Sequence, residues 1–144
     1  MRAPLEGREE EALGLMRHGD WFGKYGRQGS MHTRFMKLTP DGKAIVYRGR
    51  YTGMKQVSLK SVIELSKGRE SIIFRGKDGD MYGSDPEKFK RLSAISFSLH
   101  YEENDATYRT LDLQCLGSAD AGRTPQEQFR LWFHGLGMLV RRGC

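Results

Sequence analysis

The strongest limit on the fold is a succession of short strand-like segments, which are separated by turn residues about every 8–12 positions. Residues 94–101 alternate between apolar and polar side chains, and residues 107–115 alternate again. The apolar positions of the first segment are Ile95, Phe97, Leu99 and Tyr101. A period of two is typical of strands that bury one face. The sequence therefore predicts a mainly β fold of roughly seven strands.

Turn residues set the bounds of these strands. Thr39–Gly42 is the clearest turn, because Pro40 presets one backbone angle and Gly42 tolerates a positive φ. Residues 75–83 are polar and glycine-rich, which predicts a loop, and residues 85–91 predict a helical turn with Asp85 as N-cap. The predicted strands comprise residues 20–26, 32–38, 44–51, 56–65, 71–74, 94–101 and 107–115, and residues 56–65 also hold the start of another strand.

Helices are predicted at both ends of the chain. Pro4–Met16 predicts a short helix, since proline suits a first turn and acids follow it. Further on, Thr124 and Glu127 form a capping box with proline at the first helical position. Because a curled sheet has open ends, we expect this last helix to cover one of them. Its apolar face would comprise Phe129, Trp132, Phe133, Leu136, Leu139 and Val140.

The positive charge is concentrated in one segment. The chain carries a formal charge of +6, whereas residues 21–60 hold nine Lys or Arg residues and one acid, Asp41, which gives +8. The remainder, with 15 positive and 17 negative residues, carries −2. Such a field favours a phosphate-bearing lipid, a nucleic acid or an acidic protein as partner, and a plain solvated surface is the alternative.

The chemistry motifs exclude several classes of protein. The four histidines lie on different predicted elements, there is no Cys-x-x-Cys pair, and two cysteines do not make a disulfide framework. Gly23, Gly26 and Gly29 match no nucleotide-binding pattern and are interpreted as hairpin glycines. Residues 77–80 are interpreted as a turn rather than a calcium loop. We therefore expect no enzyme, no cofactor and no metal, in a soluble protein of a reducing compartment.

Two cations are expected to converge across the first hairpin. Lys24 lies near the end of the first predicted strand and Arg34 near the start of the second. Arg34 shares a strand face with Met36 and Leu38. The cation would therefore lie at the open end of the curled sheet, with the apolar residues deeper inside. A glycine-containing loop between the strands would leave backbone N–H groups free for an anion. Lys and Arg together suit phosphates.

These residues resemble the start of a pleckstrin homology (PH) domain. The resemblance rests on Lys24–Arg27, then His32–Leu38, then a turn and Ala44–Tyr47. The order of seven strands and a terminal helix bearing Trp132 extends it over residues 14–141. Residues 68–91 and 95–113 resemble the PH domains of phospholipase C and of plant FYVE-associated proteins.

The resemblance implies a fold and a division of the chain. The fold is mainly β: a PH-like, seven-stranded, partly open barrel of two near-orthogonal antiparallel sheets, which a C-terminal amphipathic α-helix caps. A short N-terminal helix and a short helix between strands 5 and 6 complete it. Residues 1–17 would form an N-terminal helical extension and residues 18–142 the PH domain.

The resemblance also implies an inositol-phosphate pocket between the β1–β2 and β3–β4 loops. Lys24 matches the family's lysine late in strand 1, and Arg34 matches the last basic position at the start of strand 2. His32 and Gly26 stand where that pattern has further cations; a histidine is largely neutral near pH 7, which predicts pH-sensitive binding. The implied ligand-binding residues are Lys24, Arg27, His32, Arg34 and Arg50, with secondary basic contacts from Lys37, Arg48 and Lys55.

The function implied is that of a membrane-targeting module. Its partners would be phosphoinositides or other anionic membrane lipids, with no nucleic acid, and the protein would be a cytoplasmic, peripherally membrane-associated monomer. Two alternatives stay open: a protein-interaction module with a PH scaffold and little lipid specificity, or the targeting domain of a larger multidomain enzyme. Met31, near the tip of the first hairpin, is a candidate for insertion into the membrane interface.

Overall fold

The fold was taken from a computed structural model, which describes residues 7–27, 29–49, 53–104 and 106–141. Within those ranges it comprises seven strands, four α-helices and one 3₁₀ turn at Leu59–Ser61. The strands are β1 Asp20–Tyr25, β2 Met31–Leu38, β3 Ala44–Arg48, β4 Met54–Ser58, β5 Val62–Lys67, β6 Ser96–Asn104 and β7 Thr107–Cys115. The helices are α1 Gly7–His18, α2 Ile72–Ser84, α3 Pro86–Ser93 and α4 Pro125–Arg141.

The strands pair antiparallel in the order β4-β3-β2-β1-β7-β6-β5. Strand β1 pairs with β2 on one side and with β7 on the other, so the strands form one continuous hydrogen-bonded sheet and not the two separate sheets that the resemblance implies. Strands β4 and β5 are its edges, which leaves the barrel partly open. The mainly β, PH-like architecture with a C-terminal helix is thereby confirmed.

The core lies between the inner face of this sheet and α4. The Trp132 side chain is 1% exposed, its ring lies edge-on to Phe22 at 5.0 Å between centroids, and its Nε1 donates to Asp20 Oδ2 at 3.4 Å. Leu13 and Met16 of α1 are buried in the same core. Helix α1 therefore packs against the barrel, whereas the division of the chain after residue 17 stays a prediction.

Both predicted helix caps are confirmed. The Glu127 N–H donates to Thr124 Oγ1 at 3.1 Å, and the Thr124 N–H donates to Glu127 Oε1 at 2.8 Å. At α3, the Lys88 N–H donates to Asp85 Oδ1 at 3.1 Å. These bonds satisfy backbone donors that a helix N-terminus leaves unpaired, and they fix where each helix begins.

The expected strand at 71–74 and loop at 75–83 are wrong, because Ile72–Ser84 form α2 and Ser71 directly precedes it. The Ser71 Oγ accepts the Phe74 N–H at 3.2 Å and starts the helix. Ser71, Phe74 and Asp78 then lie on one face at helical spacing, and all three are buried against the outer face of the sheet. This burial outweighs the poor helix propensity of Gly76 and Gly79, which costs about 1 kcal/mol each.

Several strand bounds also differ from the expectation. The segment 56–65 contains two strands, because the 3₁₀ turn buries Leu59 and separates β4 from β5. Strand β6 comprises Ser96–Asn104, so it begins two residues later and ends three residues later than the predicted strand at 94–101. Strand β3 ends at Arg48. Residues 1–6, 50–52 and 142–144 lie outside the described residues. The predicted start of the first helix, Arg50, the end of the predicted strand 44–51 and the end of the chain fall on them.

Candidate anion-binding site

Three of the predicted cations lie on the inner face of the sheet, at the end nearest the β1–β2 loop. Lys24 lies directly opposite His32, and Arg34 lies opposite the core residue Phe22. Lys24 lies on the same face of β1 as Phe22, two residues nearer the β1–β2 loop. Arg34 lies on the same face of β2 as buried Met36. The strand pleat therefore places these side chains above the apolar core, as the sequence predicts.

Strands β3 and β4 complete this end of the barrel. Lys55 of β4 lies opposite Tyr47 of β3, whose side chain is buried. The Lys24 Nζ lies 5.8 Å from the centroid of the Tyr47 ring. We call this group the basic mouth; it comprises Lys24, His32, Arg34, Tyr47 and Lys55.

The charges of the basic mouth act on one another. Burial lowers the pKa of Lys24 below its ordinary value, and the charges of Lys55 and Arg34 lower this pKa further. The carboxylate of Asp112 opposes the shift only in part. Burial also raises the pKa of Tyr47, against the effect of Arg34. The cations are thus close enough to repel each other in a half-buried setting.

No acid neutralises these cations within the described part of the chain. Lys24, Arg27, Arg34 and Lys55 take part in none of its ion pairs. Arg34 Nη1 donates to the Thr33 carbonyl at 2.8 Å, which leaves other guanidinium donors to a ligand. Clustered, partly buried charge without a partner is a feature of binding sites.

The remaining predicted residues lie elsewhere. Lys37 and Arg48 are exposed on the outer face of β2 and β3, because each neighbours an inward residue, Met36 or Tyr47. Arg27 is exposed in the β1–β2 loop. Arg50 lies outside the described residues, so its place in the site stays a prediction.

The β1–β2 loop does not offer its glycine amides freely. The Gly26 N–H donates to the Ser30 carbonyl at 2.9 Å, and the Gly29 N–H donates to the Gly26 carbonyl at 2.8 Å. The amides of Gly26 and Gly29 are therefore not free for an anion, and a contribution from the other backbone N–H groups of the loop stays a prediction. Met31 belongs to β2 and lies over Gly23, since a β-carbon on Gly23 would meet the Met31 Sδ at 2.5 Å.

Acids occur on the opposite side of the mouth, on β6. Glu103 pairs with Arg109 at 2.6 Å. Burial and the charges of Tyr47 and Glu103 raise the pKa of Tyr101 to about 12. Among the described residues, the mouth thus has unpaired cations along β1, β2 and β4, whereas the acid Glu103 on the β6 side is already paired with Arg109. The pair Glu102-Glu103 carried the signal for this in the sequence.

A second polar cluster, which the sequence did not predict, lies on the outer face under α2. Arg69 is 2% exposed and forms two bonds to Asp78, at 2.6 Å and 3.0 Å. Its Nη1 also donates to Ser96 and Gln114, each at 3.1 Å. Its Cζ lies 4.7 Å from the Tyr25 ring centroid and 4.2 Å from that of Phe74. We call this group the Arg69 clamp; it comprises Tyr25, Arg69, Phe74, Asp78, Ser96 and Gln114.

A cleft of about 370 Å³ opens beside the clamp, between α2 and α3. It is lined by Arg69, Glu70, Arg75, Asp78, Gly79 and Phe89. None of the residues of the basic mouth borders it. Since its buried Arg69 is already paired with Asp78, the cleft is a weaker candidate for an anion than the mouth.

The chain is similar to a large family of domains. A family model for the pleckstrin homology domain matches residues 8–141. No curated protein matches the chain. Within the described ranges, no helix is both long and apolar enough to cross a membrane.

Solved structures share this fold at low sequence identity. PLC21 of S. officinalis and PLC21 of L. pealei each superpose with a TM-score of 0.58 at 11% identity, over 87% of this chain. The chain spans only 15% of either PLC21 chain. Inner membrane complex sub-compartment protein 1 of Toxoplasma gondii superposes with a TM-score of 0.58 at 10% identity, over 98% of both chains.

Proposed function

The chain belongs to the pleckstrin homology domain family, and on that premise we propose that it recruits a protein to membranes by binding the phosphates of a phosphoinositide or another anionic lipid. The family is a non-catalytic module that binds lipids or proteins. The lipid would enter the basic mouth, with Lys24 and Arg34 as the main phosphate contacts. His32 and Arg27, and Arg50 from the opposite loop, would assist.

The observation that supports this proposal is the convergence of Lys24, Arg34 and Lys55 without an acid partner among the described residues. Such a cluster costs folding free energy through desolvation and mutual repulsion. A bound phosphate reverses both effects, because it supplies opposite charge and several acceptor oxygens. The guanidinium of Arg34 adds the planar donor geometry that suits phosphate.

The expected affinity follows from the number of cations. Each Lys or Arg near an anionic membrane contributes about 1 kcal/mol, so Lys24 and Arg34 together contribute about 2 kcal/mol, or roughly thirtyfold in affinity. Binding of this kind weakens as salt rises. We therefore expect salt-sensitive, peripheral attachment by a monomer in the cytoplasm.

Liposome sedimentation with a phosphoinositide series tests the proposal. The variant Lys24→Ala/Arg34→Ala is expected to bind roughly thirtyfold more weakly than the wild type. The matched control is Lys37→Ala/Arg48→Ala, which removes the same charge from the outer face of the neighbouring strands β2 and β3. Equal losses in the two variants would replace the pocket by diffuse surface attraction.

A protein partner is the second candidate, and one observation favours it. Trp21 is 55% exposed on the outer face of β1, and its ring lies edge-on to Phe35 at 5.3 Å between centroids. Met54 on β4 is also exposed. Apolar side chains on a positive face suit an acidic protein segment. The absence of vesicle binding at low salt, in wild type and variant alike, would favour this second function.

A further inference from the structure

Helix α2 is fixed to the sheet directly beneath the β1–β2 loop. Phe74 is fully buried, and its ring lies 4.9 Å from that of Tyr25, the last residue of β1. The Arg69 clamp ties the same helix to β6 and β7 through Ser96 and Gln114. Tyr25 also donates its hydroxyl to Gln114 at 2.8 Å. Tyr25 therefore joins the docked helix to the strand end that carries the loop.

A second bond set fixes the first turn of α2. The Ser71 hydroxyl donates to Asp112 Oδ1 of β7. Asp112 also accepts from Ser98 and from Thr110, each at 2.7 Å. Because α2 is bonded at Ser71 and at Asp78, seven residues apart, it has little freedom to roll or slide on the sheet.

The helix then reaches the loop itself. Gly29 is buried, with a φ of +81°, and a β-carbon placed on it would lie 3.6 Å from both Cβ and Cδ of Lys77. The aliphatic stem of Lys77 thus covers the backbone of the loop on the side away from the mouth. Two backbone hydrogen bonds within the loop, from the Gly26 N–H to the Ser30 carbonyl and from the Gly29 N–H to the Gly26 carbonyl, also stabilise it.

We propose that α2 is a brace that holds the β1–β2 loop in its binding conformation, with the stem of Lys77 as the positioning contact. This inference rests on the proposed function, because the loop joins the strands that carry Lys24 and His32. A braced loop loses less conformational entropy when a headgroup binds, which raises affinity without a new ligand contact. Lys77 acts in this role through its carbon chain.

Hydrogen exchange of the Gly26 and Gly29 amides measures the brace without any lipid. Lys77→Ala removes the stem beyond Cβ, and we expect exchange of both amides to become about fivefold faster. Lys77→Met keeps the carbon chain and removes the charge, so exchange should stay at the wild-type rate. Equal rates in the wild type and Lys77→Ala would overturn the proposal.

Vesicle binding separates the stem from its charge. Both variants lose the same ammonium group, so any charge effect on affinity is common to them. We expect Lys77→Ala to bind anionic vesicles about threefold more weakly than Lys77→Met, because only the former loosens the loop. If the wild type binds no vesicles, the proposed function fails, whereas the exchange rates still decide whether the brace exists.

A reversible disulfide tests whether binding requires the brace to stay closed. The 3.6 Å separation between the Lys77 Cβ and a β-carbon on Gly29 lies within the Cβ–Cβ range of a disulfide, and the strain of a cysteine at a φ of +81° is common to the reduced and the oxidised form. In a Cys144→Ser background, Gly29→Cys/Lys77→Cys would join loop and helix, while buried Cys115 stays unreactive. We expect the oxidised form to bind vesicles at least as tightly as the reduced form. Weaker binding on oxidation would show that α2 must leave the loop, and would overturn the proposal.

Discussion

The basic mouth and the Arg69 clamp place cations on opposite faces of the same strand β1, with opposite outcomes. In the clamp, Arg69 is buried, bonded twice to Asp78 and packed against two aromatic rings. In the mouth, Lys24 is half-buried and faces two further cations, which lower its pKa. The clamp satisfies its charge internally and stabilises the fold, whereas the mouth leaves its charge to be satisfied by a ligand.

The difference separates a cation that builds structure from one that binds. Burial opposes charge at Arg69 as well, yet the bonds to Asp78 raise the pKa of Arg69 above its ordinary value. Four of the five N–H donors of Arg69 are bonded to Asp78, Ser96 and Gln114, so few are left for a ligand. Removing a charged side chain from the clamp should therefore destabilise the protein, whereas removing one from the basic mouth should stabilise it.

The largest effect is expected at the clamp. Asp78→Ala leaves the Arg69 guanidinium buried without its acid, which costs about 3–5 kcal/mol of unfolding free energy. Urea denaturation measures this loss. The control is Glu70→Ala, which breaks the exposed pair to Arg75 and should cost less than about 1 kcal/mol. Similar small losses in both variants would contradict the structural role of the clamp.

The second effect tests whether Lys55 of β4 belongs to the binding site. Lys55→Ala removes a cation that lies opposite Tyr47, and binding to anionic vesicles should fall by about fivefold, or roughly 1 kcal/mol. Arg48→Ala is the matched control, since Arg48 neighbours Tyr47 on the outer face of β3. A larger loss for Arg48→Ala than for Lys55→Ala would place the lipid on the outer face.

His32 offers a gain of similar size. His32→Lys restores a permanent cation opposite Lys24, and vesicle binding should rise by about fivefold at pH 7.5. Unchanged binding would mean that the side chain at position 32 does not reach the phosphates. The pH-sensitive binding that the sequence indicates at this position stays a prediction.

The smallest effect is expected at Lys24, and it distinguishes most clearly a cation that binds a ligand from one that stabilises the fold. Lys24→Met keeps the apolar stem and removes a charge that burial and two neighbouring cations disfavour. Allowing for solvent screening, unfolding free energy at neutral pH should rise by less than about 1 kcal/mol. Vesicle binding should fall in the same variant, as expected where function costs stability. A decrease in stability would mean that the Lys24 charge supports the fold.

Much of the fold could be predicted from the sequence because local signals agree with tertiary contacts there. Strand β7 was predicted with its observed bounds, since Leu111, Leu113 and Cys115 alternate and face the core. Helix α4 has a capping box and a continuous apolar face, so its start was also predictable. In both elements a periodic apolar pattern coincides with a single buried face.

Helix α2 could not be predicted from such a pattern. Its β-branched start at Ile72 and Ile73 indicates a strand, yet Ile72 is 87% exposed. What stabilises the helix is polar burial, in which Asp78 pairs with an arginine nine residues earlier. Ser98 and Asp112 likewise resemble solvent-facing residues of amphipathic strands, whereas α2 buries them. Apolar periodicity does not detect a second buried layer made of polar side chains.

The candidate site could be predicted where the alternation of side chains along a strand decides which face a residue occupies. Arg34 was placed on the face of Met36, and the structure places it there. Charge alone indicated Lys37 and Arg48 as contacts, although the alternation places each on the outer face of its strand. The acids of β6 could not be assigned to the site from the sequence, because they lie far from β1 and β2 in the chain and meet the mouth only through the sheet order.

A titration of the ¹⁵N-labelled protein with a soluble inositol phosphate, followed by amide chemical shifts, tests the central claim most directly. We predict saturable shifts at Lys24, His32 and Arg34, on the inner face of β1 and β2, with little change along α3. The shifts should vanish in Lys24→Ala/Arg34→Ala and persist in Lys37→Ala/Arg48→Ala. Shifts centred on α2 and α3, or persistence in the first variant, would contradict the assignment of the basic mouth as the binding site.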